Sequence, residues 1–188
     1  MTTAVGLPDV VTRFLHEVLE AFDEDIVEAY LLGSAAAGVF DPVTSDLDVV
    51  VVVDRPLSDR RSLVRRLTAL TPPGRDLELV VYVAGEQPPD HELNFSDGRE
   101  RPDEPEFWFV LDAAVAENHS LPLRNGRAWG ELFDPISDDA IRTALRDSIA
   151  WSAERPADDE FARLNAIRAR RALEHGEWIS KAQAREEL

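Results

Sequence analysis

The chain has 188 residues, 44% of them apolar, no cysteine and a formal net charge of −17. That length supports one or two small domains with a sizeable core, and the absence of cysteine excludes disulfides, thiolate chemistry and cysteine zinc sites. The acidic balance argues against duplex nucleic acid, whose phosphates need clustered Lys and Arg, and favours a cationic substrate steered to an acidic cleft.

Residues 9–22 carry Val10, Val11, Phe14, Leu15, Val18, Leu19 and Phe22 at helical spacing behind Pro8, which predicts an amphipathic helix. A strand is expected over 26–32, a helical turn over 34–38, and a second strand over 46–53. The run Val49 to Val53 makes that second strand apolar on both faces, hence central in a sheet. Pro56 and Ser58 introduce a helix over 59–70, stopped by Thr71-Pro72-Pro73-Gly74. Residues 76–83 (DLELVVYV) read as a third strand, with Asp76, Glu78, Val80 and Tyr82 on one face. The Pro-, Gly- and charge-rich stretch 85–105 reads as a long loop, 106–118 as a helix, and 121–137 as irregular. Ser137 caps a helix reaching about Trp151, and a last helix over 158–175 is closed by Gly176. The pattern is a small α/β domain followed by helices. No apolar run approaches membrane-spanning length, and the opening MTTAVGLPDVVTRF lacks a signal-peptide pattern, so a cytoplasmic protein without membrane attachment is expected.

The most informative stretch is LLGSAAAGVFDPVTSDLDVVVVV. Gly33-Ser34 forms a turn after the first strand, and Asp46-Leu47-Asp48 follows twelve residues after Ser34. In a strand, residues i and i+2 share a face, so Asp46 and Asp48 present two carboxylates side by side. Their repulsion is relieved by a bound divalent cation, and Mg²⁺ suits carboxylate and phosphate oxygens. The Gly-Ser turn offers backbone N–H groups and a hydroxyl to a triphosphate. Phosphoryl chemistry of this kind wants a third acid to take a proton; Glu78, mid-strand, is the best candidate and Asp76 the fallback. His91, His119 and His175 have no metal-ligand spacing and read as structural.

Gly-Ser, a spacer of this length, then Asp-x-Asp resembles the DNA polymerase β-like nucleotidyltransferases. The order of that segment, DLELVVYV, HELNF, LFDPIS and LNAIRARRALEHGEWISK is similar, over residues 31–181, to the aminoglycoside adenylyltransferases that modify streptomycin and spectinomycin. The resemblance implies a mixed α/β (α+β) nucleotidyltransferase domain flanked by helices, placed at 1–125, and an α-helical substrate-binding domain at 126–188. In that family ATP and drug lie in the cleft between the two. It implies ATP as co-substrate and Mg²⁺ on Asp46 and Asp48, with Glu78 completing the acidic set as catalytic base. Gly33, Ser34 and Ser45 would meet the triphosphate, and Arg168 and Lys181, the one lysine of the chain, would reach the nucleotide from the helical domain. Trp151, Glu154, Asp158 and Asp159 match the acidic and aromatic positions that bind the cationic drug. After HELNF the drug-modifying members carry a tryptophan where this chain has Ser96-Asp97-Gly98, which leaves the drug open. The family usually continues with further helices beyond the position of Leu188, so part of the site is expected to be missing or supplied by a second subunit in an oligomer.

The expected activity is transfer of AMP from ATP to a hydroxyl of an aminoglycoside or similar cationic small molecule, releasing pyrophosphate. Two alternatives stand beside it. One is a nucleotidyltransferase acting on a protein partner, as antitoxin-like members do; the other is a nucleotide-binding module without turnover.

Overall fold

The computed structural model describes residues 7–188; residues 1–6, part of the segment read above as lacking a signal peptide, lie outside them. Contacts divide the chain into two compact units, one of residues 1–104 and 115–135, the other of 105–114 and 136–188. The sequence placed one cut after residue 125. The division instead assigns the first part of the fourth helix to the helical unit, and 126–135 to the sheet unit.

The sheet unit holds a mixed six-stranded sheet in the order β5-β4-β3-β2-β1-β6. Its strands are β1 (Ile26–Leu31), β2 (Leu47–Val53), β3 (Leu77–Val83), β4 (Leu93–Ser96), β5 (Arg99–Glu100) and β6 (Leu121–Pro122). Helices α1 (Asp9–Glu20), α2 (Gly33–Ala36) and α3 (Arg60–Thr68) belong to the same unit. β2 and β3 run parallel, and every other neighbouring pair is antiparallel. The parallel pair needs a crossover, which α3 supplies.

The two faces of this sheet differ. Ala29, Leu31, Val49, Val51, Val53, Leu79, Val81, Leu93 and Phe95 build one core with Val11, Phe14, Leu15 and Val18 of α1 and Leu63 and Leu67 of α3. The alternate residues Glu28, Tyr30, Asp48, Val50, Val52, Glu78, Val80 and Tyr82 face the other way. There the 3-10 turn Trp129–Glu131 and Phe133 cover part of the face. Trp129 packs on Tyr30 at 5.1 Å between centroids, and Phe133 meets Tyr82 edge-on at 5.2 Å. Burial pushes the Tyr30 hydroxyl well above its ordinary range, and it donates to the Ala128 carbonyl.

Two buried carboxylates pin loops to this frame. Glu28, fully buried in β1, accepts from the backbone N–H groups of Ala29, Arg124, Asn125 and Arg127 at 2.8–3.1 Å. Glu24 accepts from both the N–H and the hydroxyl of Ser58, at 2.8 and 2.7 Å. Burial raises the Glu24 pKa, and the Ser58 hydrogen bonds outweigh it, so the carboxyl lies below its ordinary value.

The stretch 85–105 is not the loop the sequence suggested: it contains the β4–β5 hairpin. Asp97 (φ 52°) and Gly98 (φ 67°) form its two-residue turn, both left-handed as a type I′ connection requires. Asp76 is drawn into this turn, its Oδ2 accepting from the Asp97 N–H at 2.6 Å and the Ser96 hydroxyl at 3.3 Å.

The helical unit contains α5 (Asp138–Ala153), α6 (Glu160–His175) and α7 (Lys181–Arg185); α4 (Glu106–His119) begins in it. Ser137 and Asp159 cap α5 and α6, and Gly176 ends α6 with φ 71°. Leu111 of α4 packs with Ala144 and Leu145 of α5 and Ala169 and Ala172 of α6. Among the described residues, no helix is long and apolar enough to cross a membrane.

Glu28→Ala leaves several buried N–H groups without an acceptor and should cost about 3 kcal/mol of unfolding free energy, read by urea denaturation of the two proteins. The Glu24 contribution is fully present above an unfolded-state pKa of about 4.3 and is lost as pH falls through the lower folded value. Glu24→Gln should therefore flatten the acid limb of thermal stability measured between neutral pH and about pH 3.

Candidate active site

The first acidic pair lies where β2 begins. Asp46 lies one residue before β2 and is 5% exposed, while Asp48 is the second residue of β2 and half-buried. The parallel register sets Asp48 directly opposite Glu78 of β3. Parallel partners project to the same side, so the two carboxylates leave the sheet together on the face away from α1 and α3. Glu78 is exposed, although β3 is an interior strand flanked by β2 and β4. Glu78 therefore faces solvent from the middle of the sheet.

Gly33 explains the Gly-Ser motif. Its φ is 59°, and a Cβ there would overlap the Asp48 carboxylate, whose Cγ lies 3.0 Å from that position. The Leu32 N–H donates to the Asp48 carbonyl at 2.8 Å, so backbone and side chain of Asp48 both press on the turn. Glycine is required for conformation and for space. Ser34, next in the turn, is half-buried at the start of α2. The Ser45 hydroxyl accepts from the Asp41 N–H at 3.1 Å and closes its own loop.

The sequence reading passed over Arg75. Its Nε donates to Asp46 Oδ1 at 2.8 Å and its Nη2 to Asp46 Oδ2 at 2.7 Å, a two-pronged ion pair on a buried carboxylate. The hydrogen bond to Asp46 raises the Arg75 pKa above its ordinary value; burial opposes this, and the charges of Asp46, Glu78 and Asp76 add to it. The available signal was a lone arginine in GRDLE, followed at once by Asp76 and then Glu78, at the start of a strand.

The remaining candidates lie in the helical unit. Trp151 is half-buried among Phe107, Trp108 and Phe161, and the Arg155 guanidinium carbon sits 4.2 Å from its ring centroid. Glu154 caps the C-terminus of α5 and Asp158 is exposed in the turn that follows; Asp159 accepts from the Ala162 N–H at 3.0 Å as the α6 cap. Arg168 holds the segment before α7, its Nε donating to the Ile179 carbonyl at 3.0 Å. Lys181 opens α7, exposed, with its ammonium 5.5 Å from the Phe161 ring centroid. His91 bonds the Pro89 carbonyl through Nδ1 at 2.9 Å.

Residues 11–94 match the nucleotidyltransferase domain family, the segment that carries Gly33, both aspartates, Arg75 and Glu78. Spectinomycin 9-adenylyltransferases of Staphylococcus aureus are 30% identical over 96% of this chain and 77% of theirs. The chain belongs to the aminoglycoside adenylyltransferase family. It is a nucleotidyltransferase-type enzyme by that membership. The fold agrees: the crystal structure of spectinomycin adenyltransferase AAD(9) from Enterococcus faecialis, solved with ATP and spectinomycin, superposes with a TM-score of 0.76. That match is 21% identical and covers 92% of this chain and 79% of that one.

The donor set carried by the two interior strands β2 and β3, carboxylate oxygens alone, suits a hard divalent cation. Among the described residues, no three His, Asp or Glu side chains are gathered closely enough to hold one as they stand. The Arg75 guanidinium is the cation on Asp46.

Gly33→Ala should lower stability by roughly 1–3 kcal/mol, through a left-handed alanine and the displaced Asp48 carboxylate, as measured by thermal or urea unfolding.

Proposed function

We propose that the chain transfers AMP from ATP to a hydroxyl of spectinomycin or a related cationic aminoglycoside, with release of pyrophosphate. The observation that carries this reading is the pairing of Asp48 with Glu78 across the parallel β2–β3 ladder, with Asp46 two residues before Asp48. The family relationship to spectinomycin 9-adenylyltransferases supports the nucleotide and the drug class.

The chemistry divides among this chain's own side chains. The attacking hydroxyl oxygen bonds to the α-phosphorus of ATP, its proton passes to Glu78, and the bond from that phosphorus to the pyrophosphate oxygen breaks. Glu78 is exposed on an interior strand, so a substrate hydroxyl can reach it. Ser34, after the Gly33 turn, offers its hydroxyl to the triphosphate, and Ser45 contributes through the loop it closes. Asp46 and Asp48, with Glu78, would hold Mg²⁺, which when bound neutralises phosphate charge and acidifies the hydroxyl. Arg168 and Lys181 serve the nucleotide. Trp151, Glu154, Asp158 and Asp159 read the ammonium groups of the drug.

One observation favours a nucleotide-binding module without turnover instead: Arg75 already occupies both oxygens of Asp46. Pyrophosphate release from ATP and Mg²⁺, measured with spectinomycin, streptomycin and other aminoglycosides, separates the two readings. Turnover with at least one drug is expected, and Glu78→Gln should lower kcat by about 10²–10⁴-fold while the protein still binds ATP. ATP binding without turnover on any drug would establish the non-catalytic module.

A further inference from the structure

The Arg75–Asp46 pair is built into the backbone. The Arg75 N–H donates to the Ser45 carbonyl at 2.8 Å, and the Leu47 N–H to the Asp76 carbonyl at 3.0 Å, so the segments carrying the two charges are laced together on both sides of Asp46. Gly74 allows the approach: a Cβ there would lie 2.5 Å from the Ser45 carbonyl oxygen and 3.1 Å from the Phe40 ring. The pair is also one-sided. The Asp46 side chain is 4% exposed and that of Arg75 is 58% exposed, so the anion is fixed inside and its cation stands toward solvent.

A buried carboxylate without a cation is costly. Both oxygens of Asp46 accept from the guanidinium fork, so a divalent cation approaching this carboxylate competes with Arg75 for the same two oxygens. A guanidinium fork fits phosphate oxygens as well as it fits a carboxylate. Resting on the functional reading above, we propose that Arg75 is a resident counter-ion of Asp46 that an incoming divalent cation displaces. A metal–nucleotide complex drives this exchange, because it gives Asp46 a metal and gives Arg75 phosphate oxygens. Arg75 is thus a positioning residue that couples metal binding to nucleotide binding. A metal arriving alone must break the ion pair and leaves Arg75 to water; a metal arriving with ATP leaves neither charge unmatched. The coupling is reciprocal, so the nucleotide must in turn bind more tightly with metal than without.

The test is Mn²⁺ binding to the whole chain, followed by electron paramagnetic resonance without nucleotide. It is paired with calorimetric titration of a non-hydrolysable ATP analogue with and without the metal. Arg75→Ala should bind Mn²⁺ alone on the order of tenfold more tightly than the unaltered protein, as expected when a competing charge-assisted pair is removed. The enhancement of analogue binding by metal should shrink by a similar factor. Arg75→Lys keeps the charge without the fork, should show a smaller gain of about threefold, and carries the test if the alanine variant does not fold by circular dichroism. Equal or weaker Mn²⁺ binding in a folded Arg75 variant overturns the proposal. Failure of the functional reading looks different: no drug supports pyrophosphate release, whatever Arg75 does to metal affinity.

Discussion

The parallel pairing of β2 with β3 is the constraint on which the rest of the site depends. It is the one parallel pair in the sheet, and its register alone brings Asp48 to Glu78 from residues thirty positions apart. A parallel pair needs a crossover, and α3 with its Leu63 and Leu67 lies on the face shared with α1. That choice commits one face of the sheet to the core and leaves the opposite face for the acids. The five-valine run is the price of the arrangement: β2 is central, and Val49, Val51 and Val53 face the helices while Val50 and Val52 are buried on the other side. Of the two acids where that strand begins, Asp48 is half-buried and Asp46 is buried like the valines.

The sequence made the frame legible because hydrophobic period and punctuation agree in it. The strand of five valines, the apolar stripe of α1, the Ser137 cap and the Gly176 stop each need only local physics, and each lies within a residue or two of its expected place. The β4–β5 hairpin was hidden among prolines and charges, although Asp97-Gly98 is a turn signal that a strand reading of LNFS could have used. Glu28 was harder. A single glutamate in IVEAYL looks like an outward-facing residue, and nothing local says that four backbone N–H groups from sites up to 99 residues away converge on it. Arg75 belongs to the same class: its meaning lies in a pairing 29 residues distant. Residue types at the site are readable from spacing; the partners that neutralise them are tertiary facts.

Those partners change how the strongly acidic composition should be understood. Two places where the sequence invited an external cation, the Asp46 carboxylate and the Trp151 ring, are held in the structure by the chain's own arginines, Arg75 and Arg155. This follows from electrostatics. A carboxylate as buried as Asp46 needs its charge matched, here by a guanidinium where Glu28 uses backbone N–H groups, and the Trp151 face holds the Arg155 guanidinium by cation–π attraction. Binding at such positions is exchange rather than addition, and the affinity seen by a ligand is its intrinsic affinity reduced by the internal competitor. A competitor of that kind discriminates. A lone cation must outbid the arginine and leave it to water, whereas a ligand that carries both charges, a metal with its triphosphate, satisfies the carboxylate and the displaced arginine together. On this view the acidic excess of the chain sets the sign of what is attracted, and the few arginines placed against the acids set which cations are admitted.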